Sequence, residues 1–500
     1  MKWLDELLNK ITMYRLLLYY LIALLLVALV LGLTGGLHYD PLSIVASSLF
    51  LVAVCRLANH LFAYVFKAPT NVESVYITAL ILALIITPAR TFDDLVFLAA
   101  AGGLAVASKY ILAIKTRHIF NPAAIAVVLT SVGAAQSASW WVGSAVMLPY
   151  VIVGGLLLIR KLRRFTMVGI AIGVTLVATS VYTLLNGGDV LIDAQNELMN
   201  SPMFFAMIVM LTEPFTSPTN NTNRAWYAAL VGALFPPQVH IGSVYSTPEL
   251  ALVMGNIFSY IVGPRAKTML HLKQRTKLTP DTMDFAFTPV QKFNYKPGQY
   301  MEFTLQHPKT DSRGARRYFT IASSPTEPEL HLGLKFYPKS SSYKRAFINL
   351  ADSDMFMAAQ LSGDFVLPKD STRKLAFIAG GIGITPYRSM VKYLLDTNQR
   401  RDIAMLYSAR TASDFAYREI FDQAKDQLGL QVNYLTGSTP AQPGDRPLST
   451  ELIKQLVPDF AERLFYISGP HGMVVATEKM LRQLGVRGHN IKKDFFSGYA

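Results

Sequence analysis

Cysteine is nearly missing from this chain: its 500 residues include one, Cys55, set in an apolar run. A lone thiol excludes an internal disulfide. It also excludes a zinc site or iron–sulfur cluster held by cysteines of this chain alone, and no metal site is assigned. Histidine is scarce where it would matter. A haem held within a helix bundle needs paired histidines about four turns apart on facing helices. Here His60 is the only histidine well inside an apolar run, while His38 and His240 fall between runs and His118 at an edge, so no haem is expected. Charge is thin as well, at 16% of residues, and a mean hydropathy of +0.30 is too apolar for an ordinary soluble protein. The net charge of +14 is read as loop charge beside a membrane; no nucleic-acid partner is expected.

What the chain has in quantity is apolar residues, 51% of the total and crowded into the first half. A bilayer-crossing helix takes roughly 20 mostly apolar residues, and fewer where it is broken or re-entrant. Candidate spans are 16–36, 42–66, 73–88, 94–114, 119–135, 140–159, 166–186, 201–213, 225–236 and 248–263, the eighth and ninth short enough for half-helices. The basic start and the run Leu16–Leu33, with no small-x-small cleavage site and more spans behind it, read as a first helix rather than a signal peptide. Bases sort into alternate loops: Lys2, Lys10 and Arg15; Lys67; Lys115 and Arg117; Arg160, Lys161, Arg163 and Arg164; Arg224; then Arg265, Lys267, Lys273, Arg275 and Lys277. The opposite loops hold Asp40, Asp93, Asp94, Asp189, Asp193, Glu197 and Glu249, with Arg90 the one base. This positive-inside pattern predicts a multi-pass protein of the cell membrane with both termini cytoplasmic.

Beyond residue 265 the composition becomes that of a soluble protein. Residues 276–368 read as short strands with Pro/Gly turns, for example Gln299–Gln306 and Arg317–Ala322, which suits a small closed barrel. From 372 strands and helices alternate, which argues for a doubly wound parallel sheet. The expected fold is therefore multi-domain. A polytopic α-helical membrane domain (1–265) and a basic linker (266–275) precede an antiparallel β-barrel (276–370) and a doubly wound α/β domain (371–500).

Four signals stand in order in this half. RRYFTIASSP (Arg316–Pro325) follows PGQY (Pro297–Tyr300); then come AGGIGITP (Ala379–Pro386), YISGPHGM (Tyr466–Met473) and the terminal DFFSGYA. A Gly cluster is weak evidence alone, but this one follows the apolar strand LAFIA and opens a helix, the context a dinucleotide site requires. Together the four resemble the ferredoxin-reductase-like flavoprotein module, which carries FAD in a barrel and takes hydride from NAD(P)H. The resemblance covers nearly all of 276–500.

Carried over by position, it implies a flavin element of Arg317, Tyr318, Phe319 and Thr320. In it Arg317 faces the FAD phosphates, Phe319 stacks on the isoalloxazine and Thr320 lies near flavin N5. KFYPKSSSYKRAF resembles the pyrophosphate segment, implying Ser341, Ser342 and Tyr343 with Lys335 and Lys344 nearby. Gly380, Gly381 and Gly383 let the dinucleotide approach the backbone, and Thr385 and Pro386 open the helix. Ser408 and Arg410 fall near the adenosine ribose, and Gly469, Pro470 and Met473 complete the site. Ser468 stands where the family often has Cys beside the nicotinamide. In the terminal tail Asp494 takes the place of the family's Glu as proton relay, and Phe496 that of its aromatic, followed by Gly498 and Tyr499. Arg410 and Arg418 suit either NADH or NADPH, so the nucleotide stays open.

In the first half, polar stretches interrupt the apolar runs: IITPAR (Ile85–Arg90), IFNPAA (Ile119–Ala124) and LTEPFTSPTNNTNR (Leu211–Arg224). Asn and Pro at the head of an apolar run suit a helix cap; broken helices with free N–H groups also line buried polar sites. IFNPAA, VGGLLLIRKLRR (Val153–Arg164) and FFAMIVMLTEPFTSP (Phe204–Pro218), in that order, resemble the B subunit of the sodium-translocating NADH:quinone reductase and the D subunit of the Rnf complex, across most of 15–265. That resemblance implies a flavin, FMN or riboflavin, within the membrane half, near Asn121, Thr212, Glu213, Thr216 and Thr219. The family's Ser-Gly-Ala-Thr flavinylation segment is absent from VGAAQSASWW (Val132–Trp141), so such a flavin would be non-covalent.

The expected function is a membrane-bound flavin oxidoreductase. It takes hydride from NADH or NADPH onto FAD at the cytoplasmic face and passes electrons through a membrane flavin to a quinone or an extracytoplasmic acceptor. Redox-driven Na⁺ or H⁺ translocation, with Glu213 as an ion or proton site, and a reductase merely anchored by the membrane half stand as alternatives.

Overall fold

The computed structural model describes Leu4, Leu8 and residues 11–500 except 67–71, 115–116, 264–267, 309, 312–314, 339, 352–353, 438–444 and 497–500. The side chains of Val72, Ile114, Arg117, Ile241, Phe495 and Phe496 are likewise not described. The chain divides into two compact units, Met1–Gly263 and Pro264–Ala500.

The first unit is helical: α1 Met13–Leu33, α2 Pro41–Val65, α3 Val72–Ile85, α4 Phe92–Ile111, α5 Pro122–Ala134, α6 Leu148–Leu162, α7 Phe165–Leu185, α8 Val190–Asn200, α9 Met203–Phe205, α10 Asn221–Leu234 and α11 Pro248–Val262. All ten expected apolar segments contain helix, and α8, an amphipathic helix starting at the N-cap Asp189, joins them. Caps set the starts: Thr12, Asp40, Thr91, Asn121, Asn220 and Thr247 each accept a first-turn N–H, and Pro follows the cap in α2, α5 and α11. Among the described residues, α1, α2, α4 and α7 are long and apolar enough to cross a membrane. The others are short or broken. The sixth expected span splits into a 3₁₀ turn, Trp141–Gly143, and α6, and α9 runs on as a π turn over Ala206–Met210.

The long helices expose leucines and valines outward, among them Leu26, Leu33, Leu42, Leu57, Val177 and Leu184, while Leu21, Leu24, Ala28, Leu51 and Ala171 are buried. In water so much exposed aliphatic surface is a liability, whereas in lipid it is the favoured face. Inside, small residues set the spacing. A Cβ on Gly232 would lie 2.5 Å from the Ala171 carbonyl, so α7 and α10 touch backbone to backbone, and the Thr175 hydroxyl donates to the Gly232 carbonyl at 3.1 Å.

The second unit opens with a six-stranded antiparallel sheet: β1 Thr268–Thr279, β2 Thr282–Pro289, β3 Tyr300–Thr304, β4 Arg316–Thr320, β5 Leu330–Lys335 and β6 Met355–Ser362, in the order β4-β3-β6-β1-β2-β5. Just past β4, the Ala322 N–H donates to the His331 carbonyl on β5 at 2.8 Å, drawing the two outer strands together towards a barrel. The interior is aromatic: Phe285, Phe287, Phe303, Phe347 and Phe356 are all buried, with edge-to-face pairs 5.0 to 5.8 Å apart. One boundary differs from expectation. The basic stretch read as a linker over 266–275 belongs to β1 from Thr268 onward. Leu270 and Leu272 point inward there, while Lys273, Arg275 and Lys277 lie on the exposed part of the strand, where charge is compatible with pairing.

A five-stranded parallel sheet follows: β7 Leu375–Gly380, β8 Ile403–Ala409, β9 Gln431–Thr436, β10 Leu464–Pro470 and β11 Ile491–Phe496, in the order β9-β8-β7-β10-β11. The helices α12 Ser342–Ile348, in the barrel, and α13 Thr385–Asp396, α14 Arg418–Leu428, α15 Thr450–Leu456 and α16 His471–Gln483 complete the unit. β7 is buried along its whole length, as a central strand covered on both faces must be.

Candidate functional site

β7 ends in a turn, Gly380–Gly383, that leads directly into α13. The turn fits only glycine. A Cβ on Gly380 would lie 2.0 Å from the Met473 sulfur, and one on Gly383 would lie 2.4 Å from the Ser468 carbonyl. Gly381 has a φ of +51° and Gly469 one of +159°. Gly380, Gly383, Ser468, Gly469 and Met473 are thus packed together at the C-terminal ends of two adjacent strands, the usual ligand edge of such a sheet. Thr385 closes the turn by donating to the Ile382 carbonyl at 3.2 Å, and Pro386 occupies the first helical turn. Ser408 pairs in register with Gly380, and the exposed Arg410 lies just beyond β8.

Ser468 is fully buried, and its hydroxyl has no hydrogen-bond partner among the described residues. On the neighbouring strand Asp494 stands in register with it. Sequence reasoning found both residues but did not place β11. Phe496 ends that strand with its side chain outside the described residues, as are Gly498 and Tyr499.

On β4, alternation sends Arg317 and Phe319 to one face and Tyr318 and Thr320 to the other. The Arg317 guanidinium sits 5.0 Å from the centre of the Tyr343 ring, and its Nη2 lies 3.6 Å from Asp311 Oδ1. Ser341 caps α12 by accepting from the Lys344 N–H, and Ser342 exchanges bonds with Asp311: each backbone N–H donates to the other's side chain at 3.0 Å. Arg317 and the Ser342 N–H therefore turn towards one carboxylate, Asp311, the chemistry a diphosphate would also meet, while the Tyr343 hydroxyl beside them donates to the Phe303 carbonyl at 3.1 Å. Asp311 was not found from sequence; it lies 31 residues from Ser342 and matches no motif.

Phe319 leans on Phe303 and Tyr343 at 5.9 and 6.0 Å and stays partly exposed. Tyr318 donates to Gln360 Oε1 at 3.2 Å, and Thr320 is buried opposite Tyr300. Lys335 is engaged elsewhere: its ammonium pairs with Asp281 Oδ2 at 2.7 Å; partial burial pushes the Asp281 carboxyl up, but Lys335 together with the Thr282 and Thr279 hydroxyls holds it below the usual carboxylate range. Lys344 donates to the Lys335 carbonyl at 2.8 Å. The glycine cradle and the orphaned Ser468 hydroxyl fit a dinucleotide, and the Arg317 cluster fits the phosphates of FAD.

The helical unit holds a second constellation. Asn121 caps α5 by accepting from the Ala123 and Ala124 N–H groups at 3.1 Å, so the capping expectation is met. Its amide also donates to Glu213 Oε2 at 2.7 Å, and its own N–H donates to Asn256 Oδ1 at 2.7 Å. Thr216 donates to Glu213 at 3.3 Å, while the Thr212 hydroxyl closes back onto the Ile208 carbonyl at 2.6 Å, a group the π turn leaves available. A small cavity of about 40 Å³ is lined by Asn121, Thr212 and Glu213 together with Ser74, Thr78, Tyr14 and apolar side chains. Lys109 donates to Ser74 and Thr78. Thr216 and Thr219 are not among the lining residues. Ser74, Thr78, Lys109 and Asn256 were missed from sequence, because lone polar residues inside apolar runs carry no pattern.

Residues 377–479 match the family model described as the oxidoreductase NAD-binding domain. Similar curated proteins include the glycine betaine monooxygenase reductase subunit of Chromohalobacter salexigens, 29% identical over 217 residues, which are 41% of this chain and 58% of that one. A second is the NADPH oxidoreductase of Mycobacterium tuberculosis, 30% identical over 198 residues, covering 39% of this chain and 50% of that one. The chain thus spans between half and three-fifths of the length of these relatives. Among solved structures, the flavohem-like FAD/NAD-binding domain of nitric oxide dioxygenase from Vibrio cholerae O1 biovar El Tor aligns with 46% of this chain and 98% of its own, at 19% identity and a TM-score of 0.41.

Proposed function

We propose that this chain is a membrane-bound flavin oxidoreductase that moves hydride from NADH or NADPH to FAD and passes the electrons on through the helical unit. The observation that carries this reading is the glycine-only turn at the end of β7, packed against Ser468 and Met473, inside the segment that matches an oxidoreductase NAD-binding domain. FAD, when bound, supplies hydride acceptance and one-electron release; the protein supplies binding, orientation and electrostatics. Arg317 with Ser341, Ser342 and Tyr343 holds the phosphates, Phe319 offers its ring and Thr320 its hydroxyl. The glycine turn, Thr385, Pro386, Gly469, Pro470 and Met473 seat the nicotinamide end, Ser468 faces it, and Ser408 and Arg410 take the ribose. Asp494 beside Ser468 holds a proton.

In the helical unit, a non-covalent FMN or riboflavin lies near the polar cluster of Asn121, Thr212, Glu213, Thr216 and Thr219, with a quinone or another carrier as final acceptor, and the bilayer is its setting. The domain limits, the cytoplasmic side of the reductase and the multi-pass membrane topology belong to the same reading. Redox-driven Na⁺ or H⁺ movement is the second reading, and one observation favours it: the Glu213 carboxylate bonded to Asn121 and Thr216 within the helical unit. A plain anchor is disfavoured, because α3, α5, α9 and α11 are short or broken, where one uninterrupted span would suffice.

The test is a flavin inventory of the full chain in detergent after denaturation. Equimolar FAD plus a second, different flavin supports the electron path. FAD alone would sink the membrane-flavin step and leave a bound quinone to be sought. A sodium-dependent potential in sealed vesicles would favour translocation.

A further inference from the structure

Helix α13 does more than carry the glycine turn. Its next two residues after Tyr387, Arg388 and Ser389, are buried, and both reach out of the parallel sheet domain to the strand exit of the barrel. Arg388 Nη1 donates to the Ala322 carbonyl at 3.1 Å and also meets Glu327, while Nη2 donates to Glu327 Oε1 at 2.8 Å. Ser389 donates to the Ser323 carbonyl at 2.5 Å. Glu327 is itself fixed, since it accepts from the Ser324 N–H at 2.6 Å. The planar face of Arg388 lies 5.5 Å from the ring centre of Tyr417, and Tyr417 donates to Asp284 on β2 at 2.6 Å.

The placement of this seam is what matters. Ala322 and Ser323 follow Thr320, the last residue of β4, by two and three positions. At about 3.3 Å per extended residue, that is under 10 Å of chain. Arg388 follows Gly383 by five residues, with the start of α13 between them. The seam is therefore the short mechanical link between the two strand ends that must face each other across the hydride path. A guanidinium fork gripping a carboxylate and a carbonyl together fixes orientation as well as distance, which an ammonium does not.

We propose that Arg388 is a positioning residue for hydride transfer: through Glu327 and the Ala322 carbonyl it sets the register between the glycine turn and the end of β4, and Ser389 supports it. This rests on the reading of the C-terminal unit as a hydride-transfer module. Reacting atoms must come to roughly 3–3.5 Å, and a misplacement of about 1 Å costs on the order of 10²-fold in rate. Arg388 touches neither ligand in this scheme, so its removal acts on the rate of the step and leaves binding almost intact.

The test uses the full chain in detergent and the variants Arg388→Lys and Glu327→Gln. Both keep a polar group at the seam and are milder than truncation. Four quantities are read: FAD per chain, the dissociation constant for oxidised dinucleotide, amide exchange over residues 320–324, and the single-turnover rate with protiated and deuterated NAD(P)H. The expected result is unchanged FAD content, dinucleotide affinity within about threefold, faster exchange at 320–324, and hydride transfer slowed by about tenfold or more with a larger isotope effect. In Glu327→Gln the loss is smaller, because the Ala322 bond survives.

Hydride transfer at the wild-type rate in Arg388→Lys, with exchange at 320–324 accelerated, would overturn the proposal and leave the seam purely structural. Loss of dinucleotide affinity in step with rate would overturn it too. A wild-type chain whose FAD is reduced by neither NADH nor NADPH would instead overturn the underlying reading, and this proposal with it.

Discussion

Ser468 carries the sharpest prediction at the scale of single residues. Its buried hydroxyl has no partner among the described residues, and an unsatisfied buried polar group costs about 1–3 kcal/mol. Ser468→Ala is expected to raise unfolding stability by about 1 kcal/mol without dinucleotide and to slow hydride transfer. Paired denaturation curves and single-turnover rates measure both effects, and a destabilised Ala variant would show that the hydroxyl is already satisfied in the protein. Arg317→Met is expected to weaken FAD binding by about 2–5 kcal/mol, because it strips a guanidinium from partly buried acceptors; equilibrium dialysis of FAD against both chains reads this directly. Arg317, Phe319 and Thr320 were legible because a strand motif fixes them locally. Asp311 was not, since it joins Ser342 only through tertiary folding.

At the scale of elements, the parallel sheet is tied at its N-terminal edge by Arg463. This buried arginine donates to the Leu375 carbonyl at 2.8 Å, to Asp402 Oδ1 at 2.7 Å and to Asp459 Oδ1 at 2.6 Å, so it holds the starts of β7, β8 and β10 together. Its carboxylate partners stay partly exposed, so the loss expected for Arg463→Met is that of hydrogen bonds to charged groups, about 1.5–3 kcal/mol. The Arg463 hydrogen bond, against partial burial and with help from Lys374, pulls the Asp459 carboxyl below its usual range. A depressed carboxylate stabilises the fold above its unfolded pKa of about 3.9, and that stability is lost as pH falls through the folded value. Asp459→Asn should therefore lower Tm at neutral pH, and the gap to the native chain should close in acid. An equal gap at every pH would contradict the clamp.

Elements were read well where runs of apolar residues met Gly or Pro. The strands expected over Gln299–Gln306 and Arg317–Ala322 are Tyr300–Thr304 and Arg316–Thr320. β1 was misread because its exposed residues are basic, and β11 because the resemblance presented its residues only as a tail.

At the scale of the whole molecule, two chemistries share one chain. Hydropathy located the apolar helical segments of the first unit but not the amphipathic α8, nor the polar cluster within, because Asn121 and Glu213 break the pattern without announcing what they bond to. The outward leucines of α1, α2 and α7 predict that the full chain stays with membranes under alkaline and high-salt washing and leaves only in detergent. Release by salt alone would contradict a membrane-embedded first unit.

The most direct measurement mixes the detergent-purified full chain, without oxygen, with NADH and separately with NADPH, and follows the visible flavin band. Equimolar FAD whose band is bleached by at least one of the two nucleotides is the expected result. A chain that neither carries nor takes up FAD, or whose FAD band is untouched by both nucleotides, would contradict the assignment of hydride transfer to this protein.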